Sequence, residues 1–115
     1  MPAVDPHAIA ALRELNPGDD SFLRDLIQIF LEDAPLRIAE IEEALTRGDS
    51  RKLTIAAHSL KGSSANFGAE EFRARCEEIE LSGRKGELAA VPARLPVLRQ
   101  EYARVAAELK ALLAP

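Results

Sequence analysis

Between residues 19 and 47 the apolar side chains of Leu23, Leu26, Ile27, Phe30, Ala34, Ile38, Ile41 and Leu45 recur three or four positions apart. That period matches 3.6 residues per turn and places all eight on one stripe of a helix about 40 Å long at 1.5 Å per residue. A helix with one apolar stripe has to bury it against another element. The chain offers no sheet for that purpose. Alternating Val-, Ile- and Thr-rich runs are absent, while Ala, Leu, Glu and Arg, all good helix formers, dominate. The partners must therefore be other helices, and 115 residues are enough for one domain, residues 1–115, around one continuous core.

The rest of the chain supplies those helices. Asp5-Pro6 opens a short amphipathic segment, about 5–15, with Ile9, Leu12 and Leu15 at helical spacing and Asn16-Pro17-Gly18 as its stop. The long helix, about 19–47, is capped by Asp19 or Asp20. Pro35 interrupts its hydrogen-bond ladder, but the apolar phase runs on unchanged, which predicts one kinked helix. Phe22, Ile29 and Leu36 form a second stripe on it, placed either to receive the short first helix or to face a partner. Gly48 ends this helix, and Asp49 or Ser50 caps a third, about 50–67. A fourth, about 69–82, carries Phe72, Cys76 and Ile79 inward until Ser82-Gly83-Arg84-Lys85-Gly86 turns the chain. The fifth, about 87–113, repeats Leu88, Val91, Leu95, Leu98, Tyr102, Val105, Leu109 and Leu112, with Pro92 and Pro96 near its start. Short connections between the last four favour an antiparallel up-and-down four-helix bundle, with the short N-terminal helix over one end.

The third helix and the turn after it carry the run Ala57-His58-Ser59-Leu60-Lys61-Gly62-Ser63-Ser64-Ala65-Asn66-Phe67-Gly68-Ala69. At about 100° per residue, Leu53, Ala57, Leu60, Ser64 and Phe67 share one side, the predicted core face. His58 falls opposite, with Gly62 and Ala65 near it in angle and Lys61 one step round. Arg51, about two turns back, reads as an ordinary solvated charge. A glycine inside a helix costs about 1 kcal/mol relative to alanine. Gly62 takes that penalty on the exposed side, one turn after a histidine and beside a cation. A lone surface histidine or lysine means little, but the three together describe a low platform that something approaches closely.

The order His58-Ser-Leu-Lys61-Gly62-Ser63-Ser64 followed by Gly68-Ala69 resembles the signature of histidine-containing phosphotransfer domains, the carriers of two-component phosphorelays. The signature spans about a dozen residues, and the helical layout matches the family over essentially the whole chain. The resemblance implies that His58 accepts a phosphoryl group from the aspartyl-phosphate of a response-regulator receiver domain, including one in a hybrid histidine kinase. It would then pass the group to the aspartate of another receiver. The receiver would supply Mg²⁺, so this chain would need no cofactor or metal of its own. Lys61, three residues along, would balance phosphoryl charge, and Gly62 would leave room for the partner's loops. A neutral imidazole is a good nucleophile toward phosphorus, and free imidazole is substantially neutral at cellular pH. In some family members a glutamine on the following helix hydrogen-bonds the histidine. Here the matching position is Glu80, a carboxylate that would orient the imidazole and raise its basicity while repelling a phosphate. Glu80, Ser59, Ser63, Ala65 and Ile55 complete the set of orienting or docking candidates, with Ser64 projecting toward the core.

Other classes fit poorly. A net charge of −4 with no basic stripe argues against nucleic acid. Two histidines and one cysteine, far apart, do not match zinc spacing, and His7 reads as a solvated terminal residue. The single cysteine, the lack of any apolar run near the roughly 18 residues of a membrane span and the lack of a signal-peptide pattern predict a cytoplasmic chain, expected as a monomer. No glycine loop for ATP is present, so no independent kinase or hydrolase activity is expected. The rival reading is a helical adaptor that binds partners by an apolar face and is never phosphorylated.

Overall fold

The computed structural model describes residues 2–114, so Met1 and Pro115, the ends of the expected domain, lie outside the described residues. Helix α1 (Pro6–Glu14) is capped by Asp5, whose carboxylate accepts the His7 amide at 2.9 Å, with Pro6 in the first turn where no amide donor is required. Helix α2 (Ser21–Arg47) is one element of 27 residues that continues through Pro35. Pro35 itself lies on the exposed side of the helix. Gly48 stops α2 in the left-handed region at φ 69°. Asp49 then accepts the Lys52 amide at 3.0 Å and starts α3 (Ser50–Ala65). The chain turns again to α4 (Glu70–Arg84), and a short 3₁₀ turn, Leu88–Ala90, leads into α5 (Val91–Leu113).

Helices α2 to α5 form an antiparallel four-helix bundle, with α3 between α2 and α4, and α4 between α3 and α5. Its core is a single cluster in which Leu53, Ala57, Leu60 and Phe67 of the predicted face are all buried, together with Ile27, Ile41, Phe72, Ile79, Leu98 and Leu109. Phe30 of α2 ties the helices together. Its ring centre lies 5.4 Å from Phe67, 6.2 Å from Phe72 and 6.0 Å from Tyr102, so rings from α2, α4, α5 and the turn after α3 meet at one point.

Two local features differ from expectation, and one open alternative is decided. Gly83 does not turn the chain: α4 runs on to Arg84, and Gly83 sits buried inside it. A Cβ there would stand 2.3 Å from Thr54 Oγ1 and 3.0 Å from Leu53 Cδ2, so this glycine is what lets α4 lie directly against α3. Leu15, expected on the apolar side of α1, is exposed because the helix ends at Glu14. The stripe of Phe22, Ile29 and Leu36, open in sequence to either α1 or a partner, stays exposed. The segment before α1 is held elsewhere: the Ala3 and Val4 amides donate to Glu108 of α5 at 2.6 and 3.0 Å, and the Asp5 amide donates to the Phe67 carbonyl at 3.0 Å. That strap ties the start of α1 to α5 and to the turn after α3, while α1 itself packs against α2.

The two helical glycines of this region predict opposite responses to one substitution. Nothing lies within 4 Å of a Cβ at Gly62, so Gly62→Ala should raise stability by up to about 1 kcal/mol. Gly83→Ala should lower it by about 1–3 kcal/mol despite the gain in helix propensity, because the stiff Thr54 side chain and Leu53 have to give way. Urea unfolding of the two variants checks both signs.

Candidate functional site

The core face of α3 is buried from Leu53 to Ser64, and this directs the opposite face outward. His58 stands there with its side chain 62% exposed. Ile55, Gly62 and Ala65 are exposed around it, while Ser59, Lys61 and Ser63 are half-buried at its flanks. The hollows of 270 and 300 Å³ elsewhere on the molecule are lined by other residues. The imidazole therefore sits on an open helix surface that another macromolecule's loops can reach.

Beneath the ring lies Glu80 of α4, only 2% exposed. Its Oε2 is 2.9 Å from His58 Nδ1 and also accepts from Arg84 Nε at 3.1 Å and from Arg84 Nη2. Its Oε1 forms an ion pair with Lys61 Nζ at 2.7 Å. Burial alone would push the carboxyl group's pKa up, but the hydrogen bonds from Lys61, Arg84 and His58 outweigh it and hold the pKa down at about 2. Glu80 is thus ionised at neutral pH and can only accept. The proton in its bond to His58 must then sit on Nδ1, which leaves the lone pair of the neutral ring on Nε2. One carboxylate against two fixed cations, Lys61 and Arg84, leaves the site with a surplus positive charge beside the ring.

Not every candidate from the sequence takes part. Ser63 Oγ donates to the Ser59 carbonyl at 3.1 Å, and buried Ser64 Oγ donates to the Lys61 carbonyl at 2.7 Å, so both hydroxyls serve their own helix. Cys76 is buried, and that burial raises its thiol pKa to about 12, far from any nucleophilic form. His7 is exposed at the start of α1, where its amide donates to the capping Asp5. Among the described residues no three His, Cys, Asp or Glu side chains gather as a metal-ligand set, and no helix is long and apolar enough to cross a membrane. Arg84 was the member that sequence reasoning missed. The i, i+4 spacing from Glu80 was there to be seen, but Gly83 made the segment look like a turn.

Comparison with known proteins agrees with the helical fold. The Hpt domain family model matches residues 25–108. The multistep phosphorelay regulator 1 of Schizosaccharomyces pombe is 33% identical over 81 residues, covering 70% of this chain and 28% of that protein. The phosphorelay intermediate protein YPD1 of Candida albicans is 27% identical over 82 residues, covering 71% of this chain and 45% of its own. The chain thus spans less than half the length of these two relatives. Among solved structures, the histidine-containing phosphotransfer protein HptB of Pseudomonas aeruginosa superposes with a TM-score of 0.87 at 34% identity, covering 96% of this chain and 93% of that one. A maize histidine-containing phosphotransfer protein superposes with a TM-score of 0.85 at 25% identity, over 96% and 83% of the two chains. A family model that matches most of the chain, together with a helical bundle shared with solved members, places the chain in the Hpt domain family, the histidine phosphotransfer carriers of two-component phosphorelays.

Proposed function

We propose that His58 is the residue that carries the phosphoryl group, receiving it from the aspartyl-phosphate of a receiver domain and returning it to the aspartate of another. The observation that carries this reading is the exposed imidazole whose Nδ1 is tied to a buried, ionised carboxylate. In the forward step the Nε2 lone pair attacks phosphorus, the N–P bond forms, and the P–O bond to the donor aspartate breaks with its electron pair leaving on the carboxylate. The ring proton stays on Nδ1, where Glu80 accepts it, so the positive charge that develops on the ring is compensated. Lys61 balances part of the phosphoryl charge, and Gly62 with Ala65 keeps the approach low. Any divalent cation that assists belongs to the receiver in this reading. The chain acts as a phosphorylated intermediate with no kinase or hydrolase activity of its own, as a cytoplasmic monomer.

Three outcomes test the proposal. Incubation with a phosphorylated receiver should label this chain with an acid-labile, base-stable phosphate, and His58→Gln, still folded by circular dichroism, should abolish the label. Persistence of label in that variant would reject His58 as the carrier. Lys61→Ala should slow transfer on the order of tenfold, read by quenched-flow phosphotransfer, while Gly62→Gln should weaken receiver binding in titration calorimetry. The third test is a pH dependence of stability. Glu80 has a folded-state pKa of about 2 against an ordinary value of 4.5, so its contribution is complete above pH 4.5 and is lost as pH falls toward 2. That shift corresponds to about 3 kcal/mol. Urea unfolding between pH 5 and 2 should therefore fall more steeply for the wild type than for Glu80→Gln.

A further inference from the structure

Before phosphorylation Lys61 is not free. Its ammonium rests on Glu80 Oε1 at 2.7 Å, and its side chain is only 21% exposed. A phosphoryl dianion on His58 would compete for the same ammonium, and a compact charge on a flexible stem can turn from one anion to the other without moving the helix. The difficulty is what the ammonium leaves behind. Glu80 is buried, and a buried carboxylate stripped of a cation is costly. Arg84 resolves this. From one turn along α4 it holds Glu80 Oε2 through both Nε and Nη2 while its own side chain remains 58% exposed, so its hold on the carboxylate is independent of Lys61.

We propose that Glu80 and Arg84 form an exchange seat for Lys61, in which Lys61 sits on Glu80 in the unphosphorylated chain and moves to the phosphoryl oxygens once His58 is modified, while Arg84 keeps the carboxylate paired throughout. This inference rests on the carrier reading of His58 and assigns Arg84 a part in it as a positioning residue that acts through Glu80. Without Arg84, Lys61 is the last fixed cation on the carboxylate and is retained there, so the phosphorylated state is disfavoured. With a neutral side chain at position 80 there is no charge to keep paired, and Arg84 becomes dispensable.

A double-mutant cycle separates these roles. Wild type, Arg84→Ala, Glu80→Gln and the double variant are phosphorylated both by a phosphorylated receiver and by phosphoramidate, a small donor that releases ammonia and needs no docking surface. Equilibrium occupancy is read as phosphohistidine by ³¹P NMR. Arg84→Ala should lower occupancy about tenfold with either donor, and the double variant should lie within about twofold of Glu80→Gln alone. A deficit that persists in the Glu80→Gln background would overturn the proposal, because Arg84 would then act on the phosphoryl group directly. So would a deficit seen only with the receiver, which would make Arg84 a docking contact. If the wild type accepts phosphate and the two substitutions are simply additive, the exchange is refuted and the carrier reading stands. If the wild type takes no phosphate from any receiver, both fall.

Discussion

The close contact of α3 and α4 at Gly83 is the constraint on which the site depends. With no side chain at that position, Thr54 and Leu53 of α3 can lie against the backbone of α4. Glu80, one turn earlier, is thereby carried under α3 and becomes almost completely buried. A carboxylate in that position needs partners, and α3 supplies two at the spacing of a single turn, His58 and Lys61. The third, Arg84, comes from α4 itself, and only because the helix does not end at Gly83. Packing between two backbones thus decides which charges meet beneath an exposed imidazole.

The arrangement divides the work between a packed interior and an open surface. The ring cluster around Phe30 and the strap from Ala3 to Asp5 hold the ends of the helices in register, so His58 needs no support from solvent-facing groups. Glu80 defines one nitrogen of the ring as donor and so leaves the lone pair on the other, a choice made by burial and ionisation rather than by any contact at that second nitrogen. The surface around that atom carries no cage. For a group that must be received from one protein and released to another, an open approach and a balanced charge serve better than enclosure.

Much of this was legible in the chain. The apolar spacing in α2, the caps at Asp5 and Asp49 and the stop at Gly48 are local effects, and local effects are written in neighbouring residues. The outward direction of His58 follows from the inward direction of Leu53, Ala57 and Leu60 by helix geometry alone. Gly83 was misread for a physical reason. A glycine demanded by a turn and one demanded by a neighbouring helix are identical in sequence, and only the position of Thr54 tells them apart. Likewise Leu15 and the stripe of Phe22, Ile29 and Leu36 are apolar residues whose burial depended on where α1 was drawn, and Glu108, more than a hundred residues away from Ala3, helps to draw it.

The amino-acid sequence by itself determined the helices, the bundle and the face on which His58, Lys61 and Gly62 stand, because each of these follows from periodicity and capping within a few turns. Tertiary structure alone decided that Glu80 is buried rather than solvated, that Lys61 and His58 share it, and that Arg84 joins them. The physical reason is that ionisation and hydrogen bonding of a side chain depend on what a second helix removes from water, and no periodicity within one helix encodes that distance.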